Sequence, residues 1–392
     1  GFSILGKFIL IVFIAKNMSL SELGIYSLFF TIITLSYILI GYDYYTYSTR
    51  EILTKDYRSK ALMVRDQFIF HLLTYVIVLP LLYSIFLFNI IPQSYLFLFY
   101  TILVCEHLSQ ECFRLFTTLS KPLIANLIFF IKSSSWVYII LLISGLGLFD
   151  FTLKHILIMW NVGVFLSVLV SLFYIKTLHL GAINKPVNWK WIKRGIVIST
   201  PFFISTIAQK VIEFSNRFFI DQYLTKDAVG IYAFYSNIAN SMLTITYTAV
   251  IMIIYPKLIE YYDKDIAIYK EYEKKLWVYT FISSIIYIGV IFIIISPLLS
   301  FLGEKDLSEH ISILWILLPG TAIYMLSFVP HYNLYVKHKD ILIMSLTITG
   351  AVFNFIFNFF FIKRYGLYGA PLALSFTYML IFSLKYYYSR VT

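Results

Sequence analysis

Residues 208–237, AQKVIEFSNRFFIDQYLTKDAVGIYAFYSN, decide how this chain is read. The first half of the stretch is apolar, yet it carries Lys210, Glu213 and Arg217. The second half has a near copy at the other end of the chain, in Met18-Ser-Leu-Ser-Glu-Leu-Gly-Ile-Tyr-Ser-Leu-Phe29. Gly24-Ile25-Tyr26 returns as Gly230-Ile231-Tyr232, 206 residues later in a chain of 392. That spacing divides the sequence into two related halves.

Composition sets the solvent in which those halves fold. The chain is 60% hydrophobic and 13% charged, with a mean hydropathy of +0.82. Soluble domains average roughly 25% charged residues. A chain this poor in charge cannot cover a water-facing surface, so it belongs in a bilayer. Aromatic residues make up 19%, and amphipathic rings are at home at headgroup level. The net charge of +11 reads as basic connections between spans, not as a nucleic-acid surface. Cys105 and Cys112 share one helix, about 10 Å apart along its axis, too far for a disulfide. The chain opens on Gly1 with no initiator Met. This suggests a trimmed N-terminus of unstated length and a first span that acts as an uncleaved anchor.

A spanning helix takes about 20 mostly apolar residues. Twelve such runs are expected, near 1–15, 25–42, 67–88, 95–116, 122–143, 154–175, 195–220, 230–252, 276–299, 309–330, 341–362 and 368–388. The connections alternate in basicity. One set includes Arg50, Lys55, Arg65, Lys176, Lys185, Lys190, Lys193, Arg194, Lys257, Lys274, Lys337 and Lys385; the other has little beyond Lys16, Lys226, Lys305, Lys363 and Arg364. The positive-inside rule then puts both termini in the cytoplasm. The expected organisation is a six-helix bundle over 1–180, a cytoplasmic linker over 181–194 with Gly181, Asn184 and Pro186, and a second bundle over 195–392. An even number of spans per half makes the repeats parallel, and cargo sites in such folds lie between repeats near mid-bilayer. The fold class is thus all-α, about twelve helices in two parallel repeats around a central cavity.

Charges at bilayer depth cost at least ~2.5–3.5 kcal/mol each on insertion scales, so those that persist mark function by default. Lys154 lies at a span end, where snorkelling accounts for it. Arg114 has Gln110 and Glu111 in helical reach, and an intrahelical pair is expected. Lys7, Lys132, Lys210 and Arg217 are harder to place structurally. Ser199, Thr206, Lys210, Glu213 and Arg217 share one stripe of the seventh span, and one acid cannot neutralise two bases. An anion-handling cavity is expected there. Asn237, Asn240, Thr244 and Thr248 form a second polar face; Thr31 and Thr34 stand at the positions equivalent to Asn237 and Asn240 in the first half. Thr347, Gly350, Asn354 and Asn358 form another. Two readings of these faces stay open: hydroxyls and amides lining a wet lumen for sugars, or helix packing through small and amide residues.

Other chemistry is excluded by what the sequence lacks. It has no Walker phosphate loop and no HExxH, and Gly145-Leu-Gly147 is no dinucleotide fingerprint. His107 and Glu111 stand four apart like metal ligands, but no third ligand is evident, so hydrogen bonding in a core is expected and no metal. No catalytic dyad has specific spacing, and no enzyme or cofactor is expected.

Several motifs resemble one family. Ala15-Lys16 followed by Leu20 to Tyr26 is similar to its first-loop pattern, a basic residue, a Ser-Glu turn and Gly-x-Tyr. Asn216-Arg217-Phe-Phe-Ile220 followed by Leu224 to Tyr232 is similar to its seventh-span pattern, with Asn216 where an Asp is usual. Tyr365-Gly-Leu-Tyr-Gly-Ala370 is similar to its Gly-x-x-Gly-Ala approach to the last span. Together, over essentially the whole chain, these resemble the polysaccharide and O-antigen flippases of the multidrug/oligosaccharidyl-lipid/polysaccharide exporter superfamily. The resemblance implies a MATE-like fold in a bacterial cytoplasmic membrane. It also implies movement of a polyprenyl-diphosphate-linked oligosaccharide by alternating access, with H⁺ or Na⁺ as a coupling ion. Partners would be that lipid-linked cargo, membrane lipid and other polysaccharide assembly proteins. Under it, Lys7, Lys132, Lys210 and Arg217 would attract diphosphate or an acidic sugar. Asn237, Asn240, Asn354 and Asn358 would meet sugar hydroxyls, and Glu213 would tune the basic pair. A multidrug/ion antiporter of the same superfamily is the nearest alternative, though its usual acid in an early span is replaced here by Lys7. A peptidoglycan-precursor flippase would usually carry about two more spans than are found here. A membrane polymerase would want a large outward loop, and none exists.

Overall fold

Lipid offers backbone amides no partners, so each apolar run has to close its hydrogen bonds on itself. The chain does this almost throughout. The computed structural model describes residues 2–53, 57–177 and 185–391. Lys55 of the basic connection and Gly181 and Asn184 of the linker lie outside the described residues.

Twelve long helices follow one another: α1 (Phe2–Asn17), α2 (Leu20–Gly41), α3 (Tyr57–Leu82), α4 (Leu96–Thr118), α5 (Pro122–Gly145), α6 (Leu153–Thr177), α7 (Trp189–Tyr223), α8 (Lys226–Tyr262), α9 (Ile266–Leu302), α10 (Ser312–Val336), α11 (Asp340–Tyr365) and α12 (Gly369–Val391). Among the described residues no strand occurs. Each expected span falls on one of these helices. Nine stretches are long and apolar enough to cross a membrane, the last of them comprising both α11 and α12. The two remaining helices have local reasons to stand apart. The described part of α1 has 16 residues, and α4 carries Glu106, Glu111 and Arg114.

Local sequence sets the helix ends. Ser19 and Glu22 form a capping box at the start of α2: the Glu22 carboxylate accepts from the Ser19 amide at 3.1 Å and the Ser19 hydroxyl accepts from the Glu22 amide at 3.2 Å. At the equivalent place in the repeat, Thr225 caps α8 by accepting from the Ala228 amide at 3.2 Å. Asp265 caps α9, and Gly303 ends it at φ 76°, where a side chain would be strained. Among the described residues α5 has a π turn at Ile131–Ser135 and α8 has one at Tyr247–Ile251.

Contacts divide the chain into two compact units. The first is Gly1–Met18 with Ile25–Ile207; the second is Ser19–Gly24 with Ala208–Thr392. The division thus falls inside α7, where the sequence suggested the linker at 181–194. In the first unit Tyr44, Tyr47, Phe70, Trp191 and Ile192 make one core cluster. Arg65 fastens the described end of the linker to α3 by donating to the carbonyls of Lys185 (2.5 Å) and Pro186 (3.2 Å), and Asp66 accepts from the Asn188 amide at 3.1 Å. In the second unit Leu258, Leu276, Met325 and Val329 anchor another cluster. There, too, the repeated glycines meet. A Cβ on Gly24 would strike the Lys226 carbonyl, and a Cβ on Gly230 would strike the Leu20 carbonyl. The Gly-Ile-Tyr repeat is therefore a reciprocal backbone approach that only glycine permits. Exposed side chains such as Phe88, Phe292, Ile293 and Ile341 form the apolar exterior that a bilayer requires.

Candidate functional site

Among the described residues three clusters of charge bear on the site, two in the first unit and one in the second. Lys132 sits in the π turn of α5 and is buried. Its ammonium lies 3.0 Å from Glu106 of α4 and donates to Gln110 Oε1 at 2.8 Å. Glu106 also accepts from the Trp160 indole of α6 at 2.8 Å. Lys132 is therefore a neutralised core cation rather than an open anion receptor, which corrects the expectation for it. Its partner was hidden because it lies on another helix, although Glu106 is as anomalous at bilayer depth as the lysine.

The second group surrounds Glu111 of α4. Arg114 donates to Glu111 Oε1 at 2.6 Å, as the spacing predicts, and lies over the Tyr45 ring at 3.7 Å. Gln67 of α3 donates to Glu111 Oε2 at 2.7 Å, and His71 Nε2 stands 3.4 Å from the same oxygen. His107 shares a hydrogen bond of 2.7 Å between its Nδ1 and the Tyr75 hydroxyl. His71, which the sequence reading missed, completes a buried trio with His107 and Glu111.

The third group follows the polar stripe of α7. Lys210 and Glu213 pair at 2.5 Å and remain about a quarter exposed, at 26% and 28% of their side chains. Gln209 donates to the Tyr324 hydroxyl at 2.8 Å, and Tyr324 stacks on Tyr378 with centroids 4.3 Å apart. Arg217 lies two turns beyond Lys210, buried against the Phe214 ring at 5.1 Å. Ser199 is also buried. Along the stripe Lys210 is partly accessible, whereas Arg217 is buried.

The amides behave differently from one another. Asn354 and Asn358 are fully buried. Asn358 Nδ2 donates to Asn216 Oδ1 at 2.9 Å and to Asn354 Oδ1 at 3.0 Å; Ser215 donates to Asn354 Oδ1 at 2.6 Å, and Asn354 Nδ2 donates to Thr377 at 3.0 Å. Asn216 Nδ2 in turn donates to Tyr232 (2.7 Å) and to the Ala370 carbonyl (3.0 Å). These side chains hold α7, α8, α11 and α12 together, so for Asn354 and Asn358 the packing alternative prevails over sugar contact. Asn237 and Asn240 are half-buried, whereas Thr31 and Thr34 in the first half are buried. Lys7 is exposed, with Phe30 at 5.5 Å. Lys385, assigned from sequence to a basic connection, is instead 6% exposed within α12, and no ion pair holds it among the described residues.

No family model matches the chain, and no curated protein does. Solved structures share its fold. A multidrug resistance MATE family transporter of the MOP superfamily, in an inward-facing conformation, aligns with a TM-score of 0.78 over 99% of this chain and 94% of its own, at 13% identity. The lipid II flippase MurJ, in an inward closed conformation, aligns with a TM-score of 0.80 over 99% of this chain and 86% of its own, at 14% identity. The chain is thus a multi-pass membrane protein with a transporter's fold. More narrowly, that fold is the one shared by MATE transporters and the MurJ flippase, as the motifs led us to expect.

Proposed function

We propose that the chain is a flippase, carrying a polyprenyl-diphosphate-linked oligosaccharide across a bacterial cytoplasmic membrane by alternating access, with both termini in the cytoplasm. The observation that carries this reading is the accessible Lys210 on α7. It pairs with Glu213 and stays about a quarter exposed, on an apolar helix that also carries the buried Arg217. A diphosphate can displace Glu213 from Lys210 and gain charge-assisted hydrogen bonds, while a cationic drug would meet repulsion. Half-buried Asn237 and Asn240, in the same unit as Lys210, offer amides suited to sugar hydroxyls. H⁺ or Na⁺ would couple the cycle through Glu213, whose charge alters the hold on Lys210.

The test is flipping of a fluorescent polyprenyl-diphosphate oligosaccharide in vesicles containing the chain. Lys210→Ala removes one charge-assisted bond, and losing ~1.5–3 kcal/mol of cargo binding slows flipping by about 10–100-fold at subsaturating cargo. Unchanged flipping by Lys210→Ala refutes the site. Export of a cationic dye with no movement of the lipid-linked sugar refutes the function in favour of an antiporter.

A further inference from the structure

We infer that His71, His107 and Glu111 form a binding site for a first-row divalent cation such as Zn²⁺, joining α3 to α4. The three side chains each offer one ligand atom, and these atoms lie within 4.8 Å of one another. All three are buried. Two imidazoles and one carboxylate are a donor set that binds zinc with a fourth position left open.

The surroundings prepare the ligands. The Tyr75 hydroxyl lies 2.7 Å from His107 Nδ1. With Nδ1–H donated to that oxygen, the lone pair of the imidazole resides on Nε2. That Nε2 is buried and meets no hydrogen-bond partner. A metal-bound histidine characteristically gives its other ring nitrogen to such an oxygen, which fixes tautomer and ring angle. His107 Nε2, Glu111 Oε1 and Arg114 Nη1 converge beside Gly41, 3.5, 3.6 and 3.7 Å from where a Cβ there would stand.

The carboxylate is prepared in the same way. Arg114 holds Oε1 at 2.6 Å and leaves Oε2 facing His71 Nε2 at 3.4 Å. Tetrahedral ligands at 2.0–2.2 Å from zinc stand about 3.4 Å apart, so this pair already has the required separation. At present the Gln67 amide stands beside the pair, 2.7 Å from Oε2 and 3.3 Å from His71 Nε2. Rotating that amide about its last torsion presents its carbonyl oxygen instead, which supplies the fourth ligand. A narrow cleft lined by Tyr45, Thr49, Gln67, Glu111 and Arg114 also reaches the carboxylate.

The inference is independent of the cargo. The purified full chain is stripped with chelator and titrated with Co²⁺ and Zn²⁺ in detergent. We expect saturation at one ion per chain, with the visible absorption of four-coordinate cobalt. His71→Ala and His107→Ala should each weaken binding by at least ~100-fold, and Tyr75→Phe, which removes an outer partner, by about 10–100-fold. X-ray absorption of the Zn²⁺-loaded unsubstituted chain should show two imidazole ligands, a readout that needs no variant to fold. No saturable binding, binding unaffected by either histidine substitution, or a zinc shell of oxygen alone would each overturn the site.

Discussion

Replacing Lys132 by methionine asks whether a cation at bilayer depth serves cargo or scaffold. The structure gives it a scaffold role: its ammonium sits 3.0 Å from Glu106, with 8% and 10% of the two side chains exposed. Lys132→Met leaves Glu106 ionised and buried, held only by the Trp160 indole and short of its countercharge. Breaking a buried pair from one side costs about 3–5 kcal/mol, whereas replacing both partners by neutral groups of similar volume is often neutral or stabilising by ~1–4 kcal/mol. Glu106→Gln alone should be comparably harmful, because it strands the lysine. The double variant should recover most of the parent's stability. The assay is thermal unfolding of the detergent-purified chain followed by tryptophan fluorescence, with Trp136 and Trp160 stacked 6.3 Å apart beside the pair. The flipping assay on the double variant then separates the roles, and retained transport is expected. The reasoning is refuted if Lys132→Met melts with the parent, or if the double variant loses as much as the two single ones together.

Three further outcomes follow from the packing. Gly230→Ala drives a methyl group into the Leu20 carbonyl, which is backbone and cannot swing aside; overpacking of at least ~1–3 kcal/mol should show as a lower melting temperature or lost expression. Asn358→Leu leaves Asn216 Oδ1 without the donor it has at 2.9 Å, so a drop of ~1–3 kcal/mol is expected by the same melt. Lys385→Met relieves a buried cation that lacks an ion pair among the described residues, and should raise the melting temperature. If flipping falls at the same time, the lysine is retained for cargo at a cost in stability.

Much of the fold was legible because lipid leaves so few options. Twelve apolar runs had to be helices, and the repeated Gly-Ile-Tyr triplets marked the two halves. The charges were legible as anomalies but not as partners. Arg114 found Glu111 because helical spacing alone brings them together. Lys132 met Glu106, and His71 met His107, through the approach of separate helices, which no local spacing records. The same limit applies to Asn354 and Asn358: periodicity put them on one face, but only packing decided that the face was a core. The division of the units inside α7 was equally invisible, since a continuous helix gives no break in composition.

The π turns of α5 and α8 bear on how this sequence can change length. In an α-helix, losing one residue turns everything after it by ~100° and spoils every downstream contact. A π turn already holds one residue beyond what α-helical winding needs. Deleting one of Ser133, Ser134 and Ser135 would let the winding tighten while Trp136 and Val137 keep their inward aim. These two spans are where natural variants could shorten by a single codon and still present the same faces to their neighbours.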